Sequence, residues 1–274
     1  MASELDYGAF LLETPYCDKT GLNEYTKSGS RNLEDAVNSL SFSVWRIKEI
    51  AELLEWIKKF NDERPEEDSI TVYGFDIQKE NRSAKKVLSE INREELSEEQ
   101  KKSLEYLATE DSKAWKSPDT ERLRESIRDL KDLYDNLDSE NSSGFDLDLL
   151  SNLVEGAEFA LKTVNEDEPI SYRDRCMAEN IKRIIDSNEI EKAFIWAHNS
   201  HISKKDMILG GKSYVPMGKH INDRFGDHYL AIAQEFGLGE IRTDSEEIEN
   251  PEYRELKDRT LSEKLMELDS EVSF

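Results

Sequence analysis

The sequence predicts a three-layer α/β/α fold, with a mainly parallel sheet and a helical insertion forming a cap, on three observations. Short apolar runs stop abruptly at titratable residues, at Glu13, at Asp76 and at His198. Amphipathic helical stretches separate those runs. The third run, Ala193 to Ala197, has no polar alternation, so both of its faces call for cover, as in a sheet flanked by helices. Strands joined through helices pair in parallel, which delivers their ends to one crevice. Glu13, Asp76 and His198 are therefore expected to emerge side by side.

Tyr7 to Pro15 reads as the first strand, because Pro15 cannot continue a central ladder. From Leu33 the apolar residues Val37, Leu40, Val44, Ile47, Ile50, Leu54 and Ile57 recur every three or four positions, which predicts one long helix to about Phe60 with Asn32 as its N-cap. Trp45 and Trp56 are expected to pack beside that stripe. Ile70 to Asp76 is the second strand. Residues 80 to 165 read as helices, near Val87 and Ile91, from Ser97 to Thr109, from Arg122 to Leu137 and from Leu147 to Leu161. Such an insertion forms a cap over the crevice or a plain helical layer on the sheet.

Ser171 is expected to cap the next helix, whose buried face is Met177, Ile181, Ile184 and Ile185. Arg173 and Arg175 lie near its start, where the helix dipole disfavours a cation. Such an arginine holds an anionic substrate or a site carboxylate, or else forms surface ion pairs. After Ala193 to Ala197 come a Gly210-Gly211 loop, a short helix from Met217 to Phe225 and a fourth strand from His228 to Phe236. Residues 1 to 240 thus read as one domain and 241 to 274 as a loosely packed acidic tail, with one helix near Tyr253 to Leu268.

Composition narrows the function. Sixty-one acidic against 37 basic residues give a formal charge of −24, which argues against nucleic acid and anionic membranes as partners. Cys17 and Cys176 lack metal-type spacing and read as two unlinked thiols of a reducing, cytoplasmic compartment. No stretch has the ~20 apolar residues of a membrane span. Neither a dinucleotide fingerprint nor a Walker loop occurs. His198 and His201 are three apart, so a helical turn after the strand places both on one face, within reach of one ligand.

Ala197-His198-Asn199-Ser200-His201, followed by Met217-Gly218 and Phe225-Gly226-Asp227-His228-Tyr229, resembles the erythromycin esterase family. Arg173-Asp174-Arg175, Tyr73-Gly74-Phe75-Asp76 and Phe10-Leu11-Leu12-Glu13 fit the same pattern. The resemblance implies an α/β/α fold with a capped cleft and hydrolysis of an ester or macrolide lactone by an activated water, without cofactor or metal. It aligns Glu13, His198, His201 and Arg175 with active-site residues. One departure stands out: the family's opening Gly-Glu-x-x-His-Gly unit, which carries its candidate base, has no counterpart, and no histidine precedes His198. This reading expects an N-terminally shortened member or a fragment, either active with remodelled residues or impaired in catalysis.

Ester hydrolysis through water needs a base, a carboxylate that orients it and an oxyanion donor. His198 or His201 is the candidate base, Glu13 or Asp76 its orienter, and Arg175 or the other histidine the donor. Two readings from other classes stay open. One is a catalytically inactive binding protein that keeps the cleft and takes a partner chain to complete its sheet. The other is a zinc hydrolase using His198, His201, Glu13 and Asp76.

Overall fold

The computed structural model describes residues 7–109, 119–139, 145–165, 168–234, 240–242 and 253–255. Three strands, β1 (Ala9–Pro15), β2 (Thr71–Asp76) and β3 (Ala193–Trp196), form a parallel sheet in the order β2-β1-β3. The helices are α1 (Lys19–Thr26), α2 (Leu33–Ser39), α3 (Lys48–Asp62), α4 (Glu80–Glu90), α5 (Glu98–Leu107), α6 (Thr120–Ser139), α7 (Leu147–Val164), α8 (Pro169–Ser187) and α9 (Met217–Phe225).

Strand periodicity splits the core in two. Phe10, Leu12 and Val72 meet Leu22, Val37, Leu40, Ile50, Leu54 and Ile57 on one side, so α1, α2 and α3 cover that face. Ala9, Leu11, Tyr73 and Phe75 point the other way, into a larger cluster built with α4 to α9. The result is the expected α/β/α layering. Its helix stripes are those of the sequence: Ile50, Leu54 and Ile57 are each no more than 2% exposed. Ser97 and Gln100 close a reciprocal capping box at the start of α5.

The predicted long helix from 33 to 60 is instead broken. Asn32 caps α2 by accepting from the Asp35 backbone N–H at 2.8 Å, but α2 stops at Ser39, and Ser43–Trp45 forms a single 3-10 turn before α3 begins. Tertiary bonds cause the break. The Ser41 N–H donates to buried Asp18, the Arg46 guanidinium to the Leu40 carbonyl and the Trp45 indole to the Glu13 carbonyl, each at 2.7 Å in its shortest contact. Trp45 also packs edge-on against Trp196, with centroids 5.8 Å apart. Trp56 is 47% exposed against Phe60 and does not join the core.

Four further expectations change. Helix α8 begins at Pro169 rather than after Ser171, since proline is pre-organised for a first helical position. Gly210 and Gly211, both at positive φ, turn a small hairpin between Met207–Leu209 and Lys212–Tyr214. The proposed fourth strand is irregular over 229–234, with Leu230 and Ile232 exposed by 78% and 69%. A strand exists through its ladder, and among the described residues this backbone forms none: Tyr229 bonds the Gly226 carbonyl and the Lys204 side chain, and Gln234 the Asn199 side chain. Of the acidic tail, Glu240–Arg242 pairs antiparallel with Tyr253–Glu255, so the expected helix does not start at Tyr253; its remainder lies outside the described residues. Among the described residues no helix is long and apolar enough to cross a membrane.

Candidate active site

The carboxyl ends of the three strands converge as expected, and two glycines make the approach close enough. A Cβ on Gly74 would run into the Pro15 carbonyl oxygen, where the register of β1 against β2 shifts. A Cβ on Gly218 would run into the Ile202 carbonyl, so α9 can press its first turn against the loop after β3. The Gly218 N–H donates to the His201 carbonyl at 2.6 Å, and the His201 N–H to the His198 carbonyl at 2.8 Å. The two histidines therefore flank one turn, their rings 6.3 Å apart.

At the centre is Arg173, from the first turns of α8. Its Nε and a terminal nitrogen make a bidentate pair with the two oxygens of Asp76, at 2.9 and 2.8 Å, and the same terminal nitrogen donates to Glu13 Oε1 at 2.9 Å. Its other terminal nitrogen lies 3.2 Å from His201 Nε2. Asp76 is fully buried, and Glu13 and Arg173 nearly so. Burial opposes the charge of Arg173, but Asp76 and Glu13 outweigh it and hold the guanidinium's pKa above its ordinary value.

These partners fix the state of His201. Its Nδ1 faces Asp174 Oδ1 at 2.7 Å, and an ionised carboxylate only accepts, so Nδ1 carries the proton. The lone pair on Nε2 then points at Arg173, which only donates. Asp174 is fully buried; its Oδ1 also accepts from the Met217 N–H at 2.7 Å, while its Oδ2 has no hydrogen-bond partner among the described residues. His198 differs. It is exposed, its backbone N–H donates to Glu13 Oε2 at 2.8 Å, and its Nδ1 meets Ser200 Oγ at 2.7 Å and accepts from the Ser200 N–H at 3.2 Å, which leaves Nε2 toward solvent.

Of the residues the sequence singled out, Glu13, Asp76, His198 and His201 are brought together and Arg175 is not. Arg175 is exposed, over the Tyr172 ring at 5.0 Å, because two residues along a helix turn the side chain to nearly the opposite face. Arg173 and Asp174 take the inward places. Their signal was present: the stripe Met177, Ile181, Ile184, carried back one turn, reaches 173 and 174. The zinc reading meets a cation already in place, since Arg173 bridges Glu13 and Asp76. Among the described residues no group of three or more His, Cys, Asp or Glu could hold a metal ion.

The profile described as erythromycin esterase matches residues 2–268. The chain belongs to the erythromycin esterase family. Solved structures place the fold there too. A Bacillus cereus protein superposes with a TM-score of 0.74 at 20% identity, covering 95% of this chain and 65% of its own. A mutant of the erythromycin esterase EreC in its open conformation gives 0.66 at 20% identity, with 93% and 69% covered. A succinoglycan biosynthesis protein gives 0.69 at 19%, with 87% and 60% covered. The chain thus spans between 60% and 69% of the length of these family-fold structures. No curated protein matches it in sequence. Membership supports a hydrolase-type function.

Proposed function

We propose that the protein hydrolyses a carboxylic ester or a macrolide lactone with a water activated by His198. One observation carries the reading: a solvent-facing histidine nitrogen stands beside a buried, hydrogen-bonded Glu13–Arg173–Asp76–His201–Asp174 array. In the tautomer with the proton on Nδ1, donated to Ser200 Oγ in place of the bond that Nδ1 accepts from the Ser200 N–H, His198 Nε2 is a free base. It takes a proton as water attacks the ester carbonyl, and returns it to the departing alkoxide as the tetrahedral intermediate collapses. Glu13 positions His198 through the backbone. Arg173 has one N–H more than the four contacts above use, and it is the oxyanion donor. His201, with its lone pair turned to Arg173, orients that guanidinium rather than serving as base. The reaction so written uses no metal or cofactor.

The test is hydrolysis of a macrolide and of 4-nitrophenyl acetate by the chain and by His198→Ala, before and after exhaustive chelation. Activity that survives chelation and falls on the order of 10²- to 10⁴-fold in the variant supports the proposal. Activity equal in both chains sinks it. The two free thiols, each pushed by burial up to about 12, favour a reducing cytoplasmic setting.

A second reading is favoured by the outer edge of β3, which among the described residues pairs with β1 alone. Phe194 is 51% exposed beside that edge. On this reading a partner chain adds a strand there, and the cleft binds without turning over. Absence of hydrolysis together with a stable hetero-complex in light scattering would favour it.

A further inference from the structure

Apart from the Arg173 cluster, a groove of about 1150 Å³ runs between α1, the residues just after α2, the start of α4 and the end of α7. None of Glu13, Asp76, Arg173, His198 and His201 lines it. Its walls divide by chemistry. Arg31, Lys79, Arg82, Lys85 and Lys86 face it, against two carboxylates, Asp18 and Glu80. In a chain with 61 acidic and 37 basic residues this reverses the global charge locally.

Both carboxylates are also withdrawn from a ligand's view. Asp18 is 5% exposed, and its oxygens accept from Thr14 Oγ1, Ser41 N–H and Ser41 Oγ at 2.5, 2.7 and 2.7 Å. Burial pushes the Glu80 carboxyl up to about 7, so near neutrality it is only partly ionised. On the cationic side, Arg31 is paired to Glu24 and Lys86 to Glu90, each at 2.7 Å. Arg82 acts electrostatically on Cys17 and Asp18, yet its guanidinium makes no hydrogen bond or ion pair among the described residues. The side-chain amides of Gln78 and Asn81 beside it are likewise uncommitted there. The far wall is apolar: Phe159, Ala160 and Val164 of α7.

We propose that this groove binds a small phosphate monoester with an apolar body. Its phosphate sits on the Arg82 fork and the Lys79 ammonium, with the Gln78 and Asn81 amides donating, and its body lies along Phe159, Ala160 and Val164. An Arg fork matches phosphate oxygens bidentately, and a dianion suits several cations at once. The site is separate from the hydrolytic one and stands or falls independently of it.

Calorimetric titration of the full chain with 1-naphthyl phosphate tests this, beside inorganic phosphate and 1-naphthol. Expected are saturable binding at least about tenfold tighter than either control, weakening as salt is added, and a further loss of about tenfold or more in Arg82→Gln and in Val164→Asp. Both variants alter side chains that hold nothing else in place, so thermal unfolding should match the parent. His198→Ala should bind as the parent does. Absence of saturable binding, binding unchanged in both groove variants, or binding lost in His198→Ala would overturn the proposal.

Discussion

The two histidines of one turn live in opposite surroundings. His201 is 8% exposed and has charged neighbours on both ring nitrogens, whereas His198 is exposed and its ring bonds the Ser200 hydroxyl and backbone N–H. The difference follows from what each side of the sheet end carries. On the β1–β2 side, charges satisfy one another and exclude water, so geometry is stiff. On the β3 side, apolar and polar groups alike stay open to solvent. A hydrolytic site needs both conditions, a rigid oxyanion donor and an accessible base, and a single helical turn supplies them here.

Breaking the stiff side should have the largest effect. Arg173→Met removes the one cation shared by Asp76 and Glu13 and leaves both carboxylates buried without it. Loss of one partner from such a cluster costs about 3 to 5 kcal/mol, to be read from urea unfolding midpoints. A loss below about 1 kcal/mol would mean that water already reaches these carboxylates and that the contrast between the two sides is false.

His198→Ala probes the open side and should separate activity from stability. Hydrolysis should drop on the order of 10²-fold or more, while unfolding shifts by no more than about 0.5 kcal/mol, since the ring is exposed. His201→Ala should do the reverse in part. It strips buried Asp174 of its ring partner and costs about 1 to 3 kcal/mol. Equal stability losses in the two variants would erase the distinction drawn from their burial.

Much of this was legible in the sequence because periodicity is local. The stripe Ile50, Leu54, Ile57 and the apolar run ending at His198 needed no partner to be read. What was hidden depends on distant atoms. The break after Ser39 is set by Asp18, Glu13 and the carbonyl of Leu40, and the helical period counts Leu40 only as an apolar side chain and does not register these contacts. Tyr229 to Gln234 has strand composition, but a strand is a relation between two segments, and this backbone meets only isolated groups such as the Asn199 and Lys204 side chains. At α8 the charges drew attention correctly while the rotation was missed: Arg175 matched a motif, and Arg173 faces inward. The buried stripe outranks the motif there, because it fixes which way each side chain points.

The Glu155–Arg183 pair sharpens the comparison, because burial wins there over a partner that sits as close. Arg183 donates to both Glu155 oxygens at 3.1 and 3.2 Å, yet burial pushes the carboxyl from 4.5 up to about 7, against the pull of Arg183. The folded pKa lies above the unfolded one, so the native state binds this proton more tightly. Its contribution is full below pH 4.5 and is lost as pH rises toward 7. Glu155→Gln should flatten that slope by about 1 to 2 kcal/mol across the window, measured as unfolding free energy against pH. An unchanged slope would assign it to other carboxyls.

The smallest expected effect on the folded chain, at Phe194, bears most directly on what the open side is for. Its ring stacks on Phe10 at 5.5 Å yet is half exposed, so Phe194→Ser should cost about 1 kcal/mol or less. If a partner strand docks on β3, the same change should weaken that complex tenfold or more, because an edge is recognised by its ladder together with the side chains flanking it. If hydrolysis by the chain alone is the whole function, Phe194→Ser should leave the turnover of a small ester within about twofold of the parent, since the ring stacks on Phe10 and none of the bonds around His198 involves it. A large loss of turnover with intact folding would place Phe194 in the substrate's path and make the open edge part of the active site.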